Sequence, residues 1–518
     1  MISQDRENKR QPGKIRRREA LQLGAAAAGI VALSGCEPME QQLTPVSLPT
    51  DAFPPPPTRR VAPSVRLLNR AAFGPRPGDV ERVDQIGLAA FVEEQLHPPT
   101  PETKDPIGFL KDHLHLNDLD DDPACTWRVR ALGDMLTTDT GLLFDEDDHR
   151  LVQALRQATL LRAIYSRHQL LERMVEFWSD HFNIYAFKGA GPQYKVVDDQ
   201  TTIRQHAFGR FRDLLGASAH SAAMLGYLDN TVNRKGVPNE NYARELMELH
   251  TLGVNGGYTQ HDVQQVARCL TGWSSERHWR RGAFVFNAAV HDNGEKVVLG
   301  HRIPPGGGVR DGERVLDILA AHPSTARHLA TKLCIYFLGE APDEMVKRLA
   351  GIYLKTHGDI RSVVRPLLNS PELLESKPIL KRPFDYLVST CRALNVDTDA
   401  GLPLQQHLEK MGQPLFAWPM PDGFPERASA WTGTLIPRWN YAMDLSANRL
   451  KNTLLNWTAL TDAGEKRGLS THDSLVELAF ACRASDPSLA PVRECQKSHP
   501  NPAEYGAVVL MSPEFQWR

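Results

Sequence analysis

The densest run of polar side chains, YLDNTVNRKGVPNENYARELMELHTLG from Tyr227 to Gly253, joins an oxygen-rich loop to a helix. Asp229, Asn230, Asn233, Asn239, Glu240 and Asn241 surround Gly236, and hard cations such as Ca²⁺ take six to eight such oxygens from irregular loops. The same residue types also make turns and helix caps, which is the competing reading. On the helix expected from about Glu240 to Leu252, Asn241, Arg244, Glu245 and Glu248 share one face at i, i+3, i+4 and i+7. Carboxylates three residues apart point to one place. Glu245 and Glu248 are therefore a candidate metal-ligand or acid/base pair, with Asn241 and Arg244 beside them as candidate substrate contacts. The bland alternative is a solvated face on which Glu240 pairs with Arg244.

Two histidines join this set. His181, in EFWSDHFNIY, lies on a stripe with Met174 and Trp178, which turns its imidazole inward either as a ligand or as a hydrogen-bonded core residue. His291-Asp292 precedes a turn, where an imidazole and a carboxylate could ligate a metal and a simple turn aspartate is the alternative. His181, Glu245, Glu248, His291 and Asp292 are thus the expected ligands of a divalent metal, calcium or a transition metal. His181, Glu245 and Glu248 are the expected catalytic groups. The sequence has no H-E-x-x-H, G-x-S-x-G, Walker loop, G-x-G-x-x-G after a strand or C-x-x-C-H, which excludes common enzyme families and not catalysis as such.

The elements that must position these residues are mostly helical. Asp145 to Ile184 carries apolar residues at spacings of three and four that define one buried stripe. Val263–Trp273, Gly312–Ala321, Thr325–Leu338, Asp343–Thr356 and Arg361–Leu368 repeat that pattern. Alternation is scarce: 283–286 and 296–299 are the best strands, flanking His291–Gly294 as a hairpin. The segment from Gln413 to Trp439, rich in Pro and Trp, is expected to be irregular and to pack over a groove or close a core. VVRPLLNSPELL (363–374) and AVVLMSPEFQWR (507–518) each run an apolar helix into Ser-Pro-Glu, where Ser suits an N-cap and Pro the first helical position. The expected fold is mainly α, a large multi-helix body with a small β-hairpin insertion near 283–300.

The 518 residues, 41% hydrophobic and 24% charged, are ordinary for a globular protein, and a formal charge of -2 argues against a nucleic-acid partner. That balance conceals an asymmetry. Residues 1–35 hold seven basic and three acidic side chains, so the remaining 53 basic and 59 acidic residues leave the rest about six charges negative. Arg16-Arg17-Arg18 opens into the apolar run LQLGAAAAGIVALSG, too short to span a bilayer permanently and only mildly hydrophobic, as twin-arginine export signals are. Leu33-Ser34-Gly35-Cys36 resembles a lipobox, whose cysteine is acylated. The expected organisation is an export signal over 1–35, a lipidated Cys36 with a Pro-rich tether over 36–63, and a helical body over 64–518. Of the other six cysteines, Cys269 and Cys334 read as buried thiols, and Cys482 and Cys495 as a candidate bridge.

LLNRAAFGPRPGDVERV (67–83), EFWSDHFNIY (176–185), the 227–273 segment around NENYARELMELHTLG, HDNGEKVVLG (291–300), GDIRSVVRPLLNSPE (358–372), the GQPLF…W…R-x-N stretch (412–440) and the closing SPEFQWR together resemble the bacterial "domain of unknown function 1800" family over nearly all of 64–518. Phe424 in DGFP departs from it, since many members carry Trp there. The resemblance implies a large α-helical protein, often exported and frequently encoded beside a second exported family with sulfatase-like features, without an assigned activity. Two functions follow as expectations for a lipid-anchored envelope protein on the periplasmic or outer face. One is a metal-dependent hydrolase acting on envelope or extracellular polymer, and the other a non-catalytic scaffold or chaperone for a co-exported sulfatase-like partner. Convergence of His181, Glu245 and His291 would favour the first, and carboxylates saturated by arginines the second.

Overall fold

The computed structural model describes Pro55 and residues 61–98, 148–276 and 282–518. The segment expected to be an export signal, Cys36 and Cys125 lie outside these residues. The body is helical, as its periodicity predicts. Helix α1 (Pro63–Ala71) opens on a proline at its first position. The single stripe expected from Asp145 to Ile184 is instead two helices, α2 (Asp148–Tyr165) and α3 (Gln169–His181). Gln169 makes the break stable, because its side-chain amide donates to the carbonyls of Ala163 and Ser166 (2.9 Å each) that the end of α2 leaves without helical partners.

That break sends the two helices to different cores. Leu151, Leu155 and Ile164 of α2 join a core built largely from the C-terminal part of the chain, whereas Leu171, Met174, Val175 and Trp178 of α3 join one built from residues 67–373. Next come α4 (Gly191–Asp198), which continues into a π-helical turn over Asp199–Arg204, and α5 (Glu240–Glu248), capped by Asn239. Then follow α6 (Gln260–Cys269), α7 (Arg310–Ala321), α8 (Pro323–Leu338), α9 (Pro383–Ala393), α10 (Leu435–Ser446) and α11 (Pro502–Met511). Among the described residues no helix is long and apolar enough to cross a membrane.

The β insertion exists, but with other pairings than expected. β1 (Trp273–Ser275) pairs antiparallel with β2 (Phe284–Phe286), and β3 (Lys296–Val298) with β4 (His301–Ile303). The 284–286 and 296–298 segments are thus not partners. Leu299 and Gly300 both have positive φ (50° and 79°), the backbone of a tight two-residue turn, and this turn returns β3 onto β4 at once. A third two-stranded pair, Asp397–Thr398 with Thr453–Leu454, lies in the C-terminal part.

The Pro- and Trp-rich segment is irregular up to Arg427, but helix α10 begins inside it at Leu435. Pro437 is accommodated there because the first turn of a helix has no internal acceptor for its N–H. Phe424, Trp431 and Leu380 form a small separate cluster, with Trp418 and Trp517 packed against it. The chain end is tied in beside them: Ile379 N–H donates to Arg518 O (2.8 Å) and Lys381 N–H to Gln516 O (2.9 Å). Of the two Ser-Pro-Glu turns, only Ser370 caps its helix, accepting from Leu373 N–H (3.2 Å); the Ser512 hydroxyl donates back to Val509 O (2.8 Å). Cys269, Cys334, Cys391 and Cys495 are free thiols, so the expected Cys482–Cys495 bridge is not formed.

Where α3 meets α9, the two cores are joined by charge. Arg173, fully buried, ion-pairs with Asp385 and, at 3.2 Å, with Glu176, and its guanidinium stacks 4.4 Å from the Tyr336 ring centroid and 4.7 Å from that of Phe73. Arg382 pairs with Glu176 and with Asp180 (2.7 Å), and Tyr336 donates to Glu176 (2.6 Å). Burial pushes the Asp385 carboxyl up, but Arg518, Arg173 and Arg382 hold it well below the usual carboxylate range. Removing one member of a buried pair leaves the other charge uncompensated. Asp385→Asn is expected to cost about 3–5 kcal/mol in urea unfolding. A loss under about 1 kcal/mol would show that the pair does not hold the cores together.

Candidate functional site

Helix α3 carries its polar residues on one stripe, Glu172, Glu176, Ser179 and Asp180, with Asn183 just beyond. A buried helix pays for such a stripe unless it faces partners or a cavity, and here it faces both. A cavity of about 40 Å³ between the two cores is lined by Glu172, Glu176, Asp180, Asp199, Phe416 and Phe424 among others. That volume holds one or two waters.

Each carboxylate of the stripe is met by an arginine. Arg204 forks onto Glu172 (3.0 and 2.8 Å) and reaches Asp199 (3.0 Å), which places the π-helical turn of Asp199–Arg204 directly on the cavity wall. Asp199 Oδ1 has no hydrogen-bond partner. Arg382 serves Glu176 and Asp180 and lies 3.4 Å from Glu426. Burial pushes the Asp180 carboxyl up to about 7, with Arg382 opposing and Glu176 and Glu426 reinforcing. The roof is the 413–427 segment. Asn183 donates to Trp418 O (3.0 Å) and Met420 O (2.6 Å), and Phe416 adopts φ +60°, a backbone strained for a bulky residue. Gly423 has φ +75° and sits where a Cβ would come within 2.2 Å of Asp180 O, so the roof can lie this close only with glycine there.

Behind Asp180 is a layer of imidazoles. His181 Nε2–H donates to His250 O (3.0 Å) and His328 Nε2–H to Leu249 O (3.2 Å), with ring centroids of His250 and His328 at 6.1 and 6.2 Å from that of His181. A carbonyl can only accept, which fixes the Nε2–H tautomer on His181 and leaves Nδ1 without a hydrogen-bond partner. Both nitrogens of His250 are likewise unbonded. Burial first, then the charge of Lys332, lowers the pKa of His250 to about 3 and of His328 to about 4; His181 is also held far below its usual value. Burial in turn lowers the Lys332 ammonium, against Glu426, Asp180 and Asp422.

The expected metal set does not converge. His181 is in the imidazole layer. Glu245 is buried on α5, while Glu248 accepts from Tyr258 Oη–H (3.2 Å). His291 is buried beside Thr271, just past the end of α6, with Nδ1 2.8 Å from Thr271 O and Nε2 3.2 Å from Asp311. Asp292 is clasped by Arg268 (2.7 and 3.2 Å), whose hydrogen bonds are the chief reason its pKa falls to about 2. Asn241 donates to Leu228 O (3.2 Å), and Arg244 pairs with Glu240 (3.1 Å) and Gln260 (2.9 Å). The loop oxygens are spent similarly: Asn233 Oδ1 accepts from Asn239 N–H, Asn239 Oδ1 from Asn241 N–H, and Asp229 pairs with Lys188. Among the described residues no group of three or more His, Cys, Asp or Glu is placed to hold a metal ion. Sequence reasoning missed Asp180, His250, His328, Lys332 and Arg382; the four-residue rhythm of Glu172, Glu176 and Asp180 on a helix with so little solvent was the signal available.

Two outcomes follow. Gly423→Ala should lower the melting temperature by several degrees, read by calorimetry, because roof and α3 must separate; an unchanged transition would mean that the roof is not in contact. The imidazoles set a pH dependence. Their folded-state pKa values lie below the unfolded value of about 6.5, so the stability they contribute is complete above pH 6.5 and is lost as pH falls toward 4. Urea midpoints should drop over that window, and His250→Leu should flatten the slope. Parallel pH profiles for the two proteins would refute this.

No curated protein and no solved structure matches this chain. A family model described as "Protein of unknown function (DUF1800)" matches residues 66–517, nearly the whole described body. The chain belongs to that family.

Proposed function

We propose that the protein is exported by a twin-arginine signal in residues 1–35, acylated at Cys36 and held on the periplasmic or outer face of the cell envelope. In this reading its body is a scaffold or chaperone for a co-exported partner, for which a sulfatase-like protein is the class suggested by the family resemblance. The observation that supports a scaffold over a metal-dependent hydrolase is the internal use of the acidic groups. Glu172 and Asp199 are taken by Arg204, Glu176 and Asp180 by Arg382, Glu240 by Arg244 and Asp292 by Arg268. Such pairs fix geometry and leave little ligand capacity.

A second reading is an envelope-polymer hydrolase that works without metal. It is favoured by Asp180, whose carboxyl burial pushes up to about 7 on the wall of a cavity, the direction a general acid requires. The cavity admits only water-sized groups, which ranks this reading second.

The test is elemental analysis of purified protein before and after chelator, together with metabolic labelling by a fatty-acid analogue. Expected are clearly substoichiometric metal, a melting temperature indifferent to chelator, and a lipid label lost in Cys36→Ala. One equivalent of calcium or transition metal removed by chelator would defeat the scaffold reading, and an unlabelled wild-type chain would defeat the anchor.

A further inference from the structure

Helix α10 carries apolar side chains on its outward side as well as on its inward one. Its inward side holds Arg438, Tyr441, Ala442, Leu445 and Ser446, with Arg438 bonded to Gln516 (2.9 Å) and Lys381 O (2.8 Å). Its outward side presents Ile436 (67% exposed), Trp439 (39%) and Met443 (40%) at i, i+3 and i+7, with Asn440 the polar residue between them. A surface helix ordinarily puts charge outward and apolar side chains inward, and an outward apolar stripe marks an interaction face.

We propose that this face of α10 lies on the lipid bilayer to which Cys36 anchors the chain, with Ile436, Trp439 and Met443 inserted at the interface. The inference rests on the lipid-anchored reading for its location, and three observations choose a bilayer as the occupant. First, area: a 12-residue helix is about 18 Å long, and a strip that long and roughly 10 Å wide buries far less than the ~1,200 Å² of a stable protein pair. Insertion of apolar side chains into a bilayer scales with the apolar area buried and has no such threshold. Second, reach: Cys36 stands 27 residues ahead of Pro63, and a chain of that length can span up to about 80 Å, more than the roughly 60 Å breadth of a body this size, so the anchor does not restrict which face of the body can meet the membrane. Third, chemistry: Trp439 is of the residue type that settles at the headgroup level. A groove of 440 Å³ beside Met443 and Pro437 carries the exposed cations Lys410 and Arg449 at headgroup height; Arg449 also bonds Asp444 (2.8 Å), which lies 3.3 Å from His407.

The test uses the full chain carrying Cys36→Ala, so that binding cannot come from acylation, with phosphatidylethanolamine–phosphatidylglycerol vesicles bearing brominated acyl chains. The bromolipid should quench a component of tryptophan emission, and Trp439→Phe in the same background should remove at least half of that quenching. The triple variant Ile436→Ser, Trp439→Ser, Met443→Ser should lower the vesicle-bound fraction at least fivefold while its melting temperature shows a folded chain. Equal quenching with and without Trp439, or unchanged binding of the folded triple variant, overturns the proposal. A concentration-dependent dimer dissolved by Ile436→Ser, with no quenching of Trp439, also overturns it and assigns the face to a second copy. Fatty-acid labelling of Cys36 is read on the unmutated chain, so failure of the anchor and failure of the α10 contact are separate results.

Discussion

The architecture depends on a layer of buried ion pairs where α3 passes between two hydrophobic cores. Arg173, Arg382 and Arg518 face Glu176, Asp180 and Asp385, while Arg204 joins Glu172 to Asp199 one helical turn away. Charges at this depth are tolerable only as a set, since each lost partner strands another charge in low dielectric. α3 and α9 meet chiefly through these ion pairs, and the cavity and the roof are arranged around them. The Arg518 side chain reaches Asp385 and Asn69 O and so closes the same layer.

What was legible in the sequence follows from this division of labour. Helices whose stability comes from one apolar stripe were readable to within a few residues, as with α7, α8 and the helices at Asp343–Lys355 and Ile360–Leu368. Periodicity does not say which core a stripe joins, so α2 and α3 read as one helix. Nor does it say which strand a strand will meet; the 296–298 segment found its partner across Leu299-Gly300 because that turn is local, whereas a pairing with 284–286 had to outcompete it.

The site was legible only in part. His181 was rightly turned inward, but its neighbours His250 and His328 come from just past α5's end and from α8, about 70 and 150 positions away in sequence. Long-range convergence leaves no mark on spacing. Buried arginines such as Arg173 and Arg382 are still harder to foresee, because a charged residue is by default assigned to the surface. The oxygen-bearing side chains of 227–253 are conspicuous in the sequence for their density, and that density serves caps and turns: Asn239 caps α5, and Asn233 bridges the loop to Ala267 O.

The same reasoning that empties the expected metal site gives the outward stripe of α10 its weight. A protein that hides nine-tenths of several arginines has shown that it can place polar and apolar groups independently of their ordinary preference, provided that each finds its complement. Arg438 finds Gln516, Lys381 O and the ring of Tyr386 (5.3 Å) inside the body. Ile436, Trp439 and Met443 find no such complement within the described chain's interior, although Tyr441 and Leu445, on the same helix, are fully buried. An apolar row left outside on a helix that spends a charged residue inside is consistent with a nonaqueous neighbour. For a chain whose N-terminus is read as lipid-anchored, the bilayer is the neighbour always within reach.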